Sequence, residues 1–279
     1  MDMYFVKYLG KDDLQLNGLV IGTGRIYLFA NGSTIKLPKA GPVFYSDIVG
    51  HYLKDEKSAN ISFNAKKIHY SFPNGNTGIR NVNLSEGPGK LIGIMGASGA
   101  GKTTLFNILT GIEKPSNGEI SINSVNIHTE KDKIEGVIGY VSQDDILFED
   151  LTVYQNLYYN AKLCFDNLPK KQIKDLVLHT LKNLGLSEIK DIKVGNVLNK
   201  LISGGQRKRL NIALELIREP SLMFVDEPTT GLSSRDAENI MDLLKELTLK
   251  GKLIFVVIHQ PSSDIYKMFD KMLIMDIGG

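Results

Sequence analysis

The segment LIGIMGASGAGKTT, residues 91–104, decides the fold of this chain. It starts with an apolar run of strand length, Leu91–Met95, and continues with the pattern G-x-x-x-x-G-K-[ST] over Gly96–Thr103. Glycines let the backbone curl so that successive N–H groups point at phosphate oxygens, and the N-terminus of a following helix adds positive potential. A strand before the loop and a helix after it are the context that this motif requires. The segment therefore predicts a phosphate-binding loop between a buried strand and a helix.

The chemistry of this loop assigns a role to each residue type. Lys102 places a positive charge on the β- and γ-phosphates, and the hydroxyl of Thr103 can ligate Mg²⁺. The predicted phosphate-binding residues are Gly96, Ala97, Ser98, Gly99, Ala100, Gly101, Lys102, Thr103 and Thr104.

Around the loop, short apolar runs alternate with amphipathic stretches, which indicates an α/β fold with a mostly parallel sheet. The predicted strands are 91–95, 137–141, 222–225 and 253–258, and the predicted helices are 102–110, 171–184, 204–217 and 235–249. Alternating stretches at 61–72 and 118–127 predict an antiparallel β subdomain, and a helical subdomain is expected at about 145–217.

Residues 1–57 predict a separate, small β-rich module, followed by the main domain over 58–279. The strands Arg25–Ala30 and Ser33–Leu37 flank Asn31-Gly32, which favours a two-residue hairpin, and Asn17-Gly18 is a second such signal. The polar stretch 54–58 is interpreted as a linker. The sequence predicts no role for this module.

The composition restricts the function classes. Lys and Arg number 33 against 31 Asp and Glu, so the net charge of +2 gives no indication of a nucleic-acid partner, and we expect none. The single cysteine, Cys164, excludes an internal disulfide framework. No apolar run reaches the roughly 18 residues of a membrane-spanning helix.

A second acidic site follows the apolar run Leu222–Val225. Asp226 lies where a carboxylate at the end of a strand can hold Mg²⁺ through water, and Glu227 points to the opposite side and can polarise an attacking water. A guanine-nucleotide enzyme would contain a base-recognition motif of the N-K-x-D kind. Asn199-Lys200-Leu201-Ile202 lacks the aspartate of that motif, which argues against guanine as the base.

The segment Ser203-Gly204-Gly205-Gln206, between the phosphate-binding loop and the acidic strand, has the sequence S-G-G-Q. With this segment the chain resembles the ATP-binding domain of ABC transporters, over about residues 61–279, and S-G-G-Q is the signature of that family. The resemblance implies a P-loop fold, Mg²⁺-ATP as ligand and a head-to-tail dimer. In such a dimer, Ser203, Gly204, Gly205 and Gln206 would bind the ATP held by the loop of a second subunit.

The resemblance extends to three further positions. Gln143 matches the glutamine that contacts Mg²⁺ and couples to the transport domain, and His259 matches the switch histidine after the last apolar strand. Phe72 matches the aromatic residue that stacks on adenine, with Tyr70, two residues away on the same strand face, as the alternative. The resemblance thus implies Glu227, His259, Gln143 and Lys102 as catalytic residues and Thr103, Gln143 and Asp226 as metal ligands.

One position departs from the family pattern. Thr230-Gly231-Leu232-Ser233 has Ser233 where the family usually has an aspartate that communicates between the two nucleotide sites. Serine does not supply that charge, and Asp236 is nearby but out of register.

Three segments, Ser203–Arg209, Gly231–Ser234 and His259–Ser263, resemble the white-type (G) subfamily and its bacterial relatives. In that subfamily the ATPase domain precedes a membrane domain in one chain. We therefore expect a fragment of a longer half-transporter, truncated at its C-terminus, where the sequence stops at Asp276-Ile277-Gly278-Gly279. It is expected to act at the cytoplasmic face of a membrane. Its partners would be a second ATP-binding domain, in a homodimer or heterodimer, and a transmembrane domain.

The predicted function is ATP hydrolysis that powers substrate translocation, in the direction of export. Two alternatives remain at this point: an ABC ATPase without a transport role, and a nucleotide-gated regulatory module with slow turnover. Glu227 argues against the module, whereas Ser233 leaves it open.

Overall fold

A computed structural model of the chain describes residues 4–29, 33–36, 42–45, 48, 61–196, 199 and 201–276. The helices are α1 Lys102–Thr110, α2 Val153–Cys164, α3 Lys170–Asn183, α4 Gly204–Leu216, α5 Ser234–Leu249 and α6 Ser263–Tyr266. The strands are β1 Tyr4–Lys7, β2 Gln15–Leu16, β3 Leu19–Val20, β4 Ile26–Phe29, β5 Thr34–Lys36, β6 Val43–Phe44, β7 Phe63–Ser71, β8 Thr77–Glu86, β9 Leu91–Gly96, β10 Asn117–Ile122, β11 Val125–Asn126, β12 Ile138–Val141, β13 Leu222–Asp226, β14 Leu253–Val257 and β15 Lys271–Met275.

A five-stranded parallel sheet of order β12-β13-β14-β9-β15 forms the centre of the domain. One core cluster contains residues of α2–α5 together with Met223 and Val225, and another contains residues of α1 and the antiparallel sheet together with Phe224. Alternate residues of β13 thus belong to different clusters, because both faces of the sheet are covered. The predicted α/β fold is confirmed, and its four predicted strands and four predicted helices agree with the observed bounds to within a residue or so. Within the part of the chain that the structure describes, no helix is both long and apolar enough to cross a bilayer.

An antiparallel sheet of order β11-β10-β7-β8 confirms the antiparallel prediction, but β8 itself was not predicted. The reason is irregular pairing between β7 and β8, whose register shifts at several points. Lys67 and Asn81 have positive φ values of 51° and 47°, as residues in bulges do. The apolar residues of β8 consequently do not alternate with a period of two.

Helix α2 was also missed, although three helices occupy the range predicted for a helical subdomain. Its fully buried apolar residues, Val153, Leu157 and Ala161, form a narrow stripe. The available signal was local: Thr152 and Gln155 form a capping box, with both reciprocal hydrogen bonds present.

The strands before residue 45 form two small sheets, and the predicted pairing of 25–30 with 33–37 is wrong. Strand β4 pairs with β1, whereas β5 pairs with β2 and β6. Phe29 and Ile35 nevertheless belong to one cluster of buried apolar residues, to which both small sheets contribute. The turn Asn31-Gly32 and the linker 54–58 lie outside the described residues. The Asn17-Gly18 hairpin is confirmed, with φ values of 54° and 80° between β2 and β3.

The module contacts the main domain at helix α5. Lys36 Nζ lies 3.1 Å from both carboxylate oxygens of Glu238, and Phe44 is buried in the core cluster of the helices.

The two sheets of the main domain are joined by a carboxylate. Glu86, at the end of β8, is buried and accepts hydrogen bonds from Lys271 of β15 and from Lys90, the latter at 2.9 Å. Burial raises the pKa of Glu86, but the hydrogen bonds from Lys271 and Lys90 lower it more, so the pKa lies below its ordinary value.

We expect Glu86→Gln to reduce the free energy of unfolding by about 1–3 kcal/mol at neutral pH, because the lysines lose a charged acceptor. A lowered pKa in the folded state contributes stability above the unfolded pKa, and that stability is lost as the pH falls below about 4. Urea unfolding of both proteins across pH measures this, with Glu119→Gln, in an exposed pair with Lys66, as the control. A difference that stays constant down to acid pH would contradict the assignment.

Candidate functional site

The carboxyl ends of three parallel strands bring the predicted site residues to one edge of the sheet. Asp226 pairs with Val257, and Val257 pairs with Ile94, so β13, β14 and β9 end at the same level. The phosphate-binding loop follows β9, Glu227 follows β13 and His259 follows β14 closely. Segments more than 100 residues apart in sequence therefore meet at this edge.

The loop backbone has the shape that phosphate binding requires. Gly99 and Gly101 have φ values of 79° and 89°, in the left-handed region that favours glycine. A Cβ on Gly101 would lie 3.1 Å from the carbonyl oxygen of Gly78, so no larger residue fits there without displacement. The N–H groups of Gly99, Gly101 and the first three residues of α1 have no acceptor among the described residues. These open donors fit an anion with several oxygens.

Lys102 is almost fully buried and folds back over the loop. Its Nζ donates hydrogen bonds of 2.9 Å to the carbonyl oxygens of Gly96 and Ala97. A cavity of about 380 Å³ adjoins this charge. It is lined by Phe72, Thr77, Gly78, Ser98, Gly99, Ala100, Gly101, Lys102, Thr103, Thr104 and His259.

The two candidate aromatic residues differ in their surroundings. Phe72 lies just beyond the end of β7, is 38% exposed and lines the cavity. Tyr70 lies within β7 and packs against the core between the sheets, and the nearby Glu113 raises its pKa. The two rings meet edge to face, with centroids 5.2 Å apart. Of the two rings, Phe72 lines the cavity and Tyr70 does not.

Glu227 and His259 contact each other directly. The Oε1 atom of Glu227 lies 2.7 Å from His259 Nε2, and Oε2 accepts a hydrogen bond of 3.0 Å from the hydroxyl of Thr230. Since a carboxylate only accepts, the imidazole donates from Nε2. The φ angle of Glu227 is 42°, a conformation that costs non-glycine residues energy and is common at functional sites. Sequence reasoning missed Thr230, although its position three residues after Glu227 suits a hydrogen bond across a turn.

Asp226 lies beside this pair. Burial raises the pKa of its carboxyl group, and the neighbouring charge of Glu227 raises it further, against smaller opposing effects of Lys208 and His259. Among the described residues, no three His, Cys, Asp or Glu side chains form a metal cluster. A metal ion here would therefore need mixed oxygen ligands, and the hydroxyl of Thr103, the amide of Gln143 and the carboxylate of Asp226 suit Mg²⁺.

The S-G-G-Q segment caps helix α4. The hydroxyl of Ser203 accepts from the Gln206 N–H at 3.2 Å, and Gln206 Oε1 accepts from the Ser203 N–H at 2.8 Å. The N–H groups of Gly204 and Gly205 have no acceptor among the described residues. None of these four residues lines the cavity at the phosphate-binding loop.

Helix α4 also holds the segment that contains Gln143. Lys208 Nζ donates to the carbonyl oxygen of Gln143 at 2.7 Å, and Arg207 Nε donates to Asp145 at 3.1 Å. Burial lowers the pKa of Lys208, so the carbonyl and the nearby carboxylate stabilise a charge that water scarcely reaches. Sequence analysis did not assign Arg207 or Lys208 a role, and the signal was their position directly after the signature.

The serine at the departing position has a carboxylate partner. Ser233 is the N-cap of α5, and its hydroxyl lies 2.8 Å from Asp236 Oδ2. Asp236, out of register in the sequence, is thus brought against Ser233 by the first turn of the helix.

Comparison with known proteins gives one consistent result. The profile of a family described as "ABC transporter" matches residues 79–230. The chain is 34% identical to a "Probable ATP-dependent permease" of Saccharomyces cerevisiae, which covers 97% of this chain and 25% of the yeast protein. It is 39% identical to "ABC transporter G family member 28" of Arabidopsis thaliana over 69% of this chain and 17% of that protein. The chain thus spans a quarter or less of the length of these two relatives.

A solved structure has the same fold. It is described as cbiO1 from Clostridium perfringens, part of the ABC transporter complex cbiONQ. Its TM-score is 0.68 at 31% identity, and the match covers 78% of this chain and 85% of that chain.

Proposed function

The chain belongs to the ABC transporter family, and we propose that it is the ATPase domain that drives an exporter of the white-type (G) subfamily. Members of the family bind and hydrolyse ATP through a domain of this fold. Export, the dimeric partner and the membrane partner are parts of the proposal. The non-transport and slow-module alternatives lack a specific supporting observation.

The separation of the signature from the loop cavity carries the proposal. The N–H groups of Gly204 and Gly205 have no acceptor among the described residues and, with Ser203, could bind an anion. None of the three residues lines the loop cavity of its own chain. A second ATP-binding domain, placed head to tail, would bring them to its bound ATP. The partner could be a second copy or a related chain.

The proposed nucleotide site combines residues of the cavity with Gln143, Asp226 and Glu227, which do not line it. Phe72 stacks on the adenine, Lys102 turns from Gly96 and Ala97 to the β- and γ-phosphates, and the open loop N–H groups bind the remaining oxygens. Thr103, Gln143 and Asp226 would hold Mg²⁺, which neutralises developing phosphate charge when it is bound.

For hydrolysis, Glu227 accepts a proton from the attacking water, because each carboxylate oxygen keeps a lone pair beyond those engaged by His259 and Thr230. His259 lines the cavity and orients the carboxylate and the γ-phosphate. The transfer depends mainly on positioning and charge, which these contacts supply.

A membrane partner would dock beside Gln143. Four exposed apolar side chains lie on this side of the helical region and line one groove: Ile146, Phe148, Tyr159 and Leu163. Exposed apolar patches of this kind mark interaction sites. The proposed location is therefore the cytoplasmic face of a membrane.

We expect Glu227→Gln to form a dimer with Mg²⁺-ATP, because binding remains while hydrolysis is blocked. Light scattering should show the mass doubling with ATP and not with ADP. The matched control is Glu227→Gln combined with Ser203→Arg, which should stay monomeric because the arginine blocks the signature surface. Monomers at all ATP concentrations would contradict the head-to-tail arrangement.

A further inference from the structure

The signature loop is packed against a carboxylate of its own chain. A Cβ on Gly205 would lie 2.8 Å from Asp236 Oδ1, and a Cβ on Gly204 would lie 3.1 Å from Leu232. Asp236 therefore sits directly beside the N-terminus of α4, where the N–H groups of Gly204 and Gly205 are open. The absence of side chains at both glycines permits this close approach.

The charge of Asp236 is not neutralised by an ion pair within the described chain. Its hydrogen-bond donor is the hydroxyl of Ser233, at 2.8 Å. The nearby cation is Arg209, whose Nε atom is buried without a hydrogen-bond partner among the described residues. Burial lowers the pKa of Arg209, and the negative charge of Asp236 opposes this effect only in part.

We propose that Asp236 sets the ATP affinity of the composite site, weakening the hold of the signature loop on the γ-phosphate of the partner's ATP. This inference rests on the proposed dimer. A carboxylate at this place offsets the positive potential of the N-terminus of α4 and repels an approaching phosphate. Ser233 positions this carboxylate through the hydrogen bond from its hydroxyl to Oδ2. This gives a role to the serine that replaces the usual aspartate of the family.

The repulsion acts only when the two chains meet. The phosphate-binding loop of a single chain would bind ATP without contact with Asp236, since this residue does not line the loop cavity. Asp236 therefore changes the ATP concentration needed for dimerisation, and not the affinity of the monomer.

The test uses the Glu227→Gln chain, with dimer formation followed by light scattering against ATP concentration. Adding Asp236→Asn should lower the ATP concentration at half-maximal dimerisation about tenfold, because the amide keeps the shape and removes the charge. Asp236→Glu, which keeps the charge, should stay close to the parent. Asp236→Ser serves as a second neutral variant if the asparagine variant does not fold.

The matched control is Glu238→Gln, which removes the same charge from the same helix but faces Lys36 of the N-terminal module. It should leave the ATP requirement unchanged, as should Asp236→Asn for ATP binding by the monomer in calorimetry. Dimers with equal ATP requirement in the parent and in Asp236→Asn would overturn this inference alone. Absence of dimers in every variant would overturn the proposed function and the inference with it.

Discussion

Glu227→Gln is expected to reduce steady-state ATP hydrolysis by about 10²–10⁴-fold, the usual contribution of a positioned general base. Glutamine keeps the shape of the side chain and can still accept a hydrogen bond from His259 or Thr230. It cannot take a proton from water at neutral pH. ATP affinity should therefore stay within a few-fold of the parent, as measured by calorimetry beside phosphate release.

Two comparisons sharpen this experiment. Asp226→Asn should weaken Mg²⁺-dependent binding as well as the rate, because its carboxylate is the proposed metal ligand. Glu238→Gln, whose carboxylate contacts Lys36 and none of the proposed site residues, should keep the parental rate. Turnover at the parental rate in Glu227→Gln would show that the catalytic assignment is wrong.

Lys102→Ala should weaken ATP binding by about 10²–10⁴-fold. Two charge-assisted hydrogen bonds to phosphates contribute roughly 1.5–3 kcal/mol each, and 1.4 kcal/mol corresponds to a factor of ten. The ammonium is already desolvated against Gly96 and Ala97, so its transfer to the phosphates requires little additional dehydration.

Lys102→Met separates charge from packing in this prediction, because it keeps most of the buried stem. Both variants should lose affinity alike, whereas Lys66→Ala, at an exposed position, should bind as the parent does. Normal ATP affinity in Lys102→Met would contradict the role of the charge.

Sequence reasoning was most successful where local chemistry and tertiary structure agree. The loop at 96–103 and the carboxylates after Val225 are marked by residue type and by neighbouring apolar runs, and parallel strands bring them to one edge. Their roles remain predictions, but their proximity follows from the topology.

The failures have a different physical origin. Strand β8 has bulges that interrupt its alternation, and strands β4 and β5, on either side of the hairpin signal, pair with other strands and not with each other. The contact between Ser233 and Asp236 depends on the first turn of α5, which converts a spacing of three residues into direct contact. Such effects belong to three-dimensional packing and leave only weak traces in the sequence.

The hydrogen bonds from Lys208 and Arg207 to the Gln143 segment have a consequence for cooperativity between the two ATP sites. Helix α4 begins at the signature, which would contact the partner's ATP. One turn later it contacts the Gln143 segment, which would lie beside the ATP of its own chain. A rigid helix with contacts at both places makes occupancy of one site energetically dependent on the other. The two ATP molecules of such a dimer would therefore bind with a Hill coefficient above one, and neutralising Lys208 would return it towards unity.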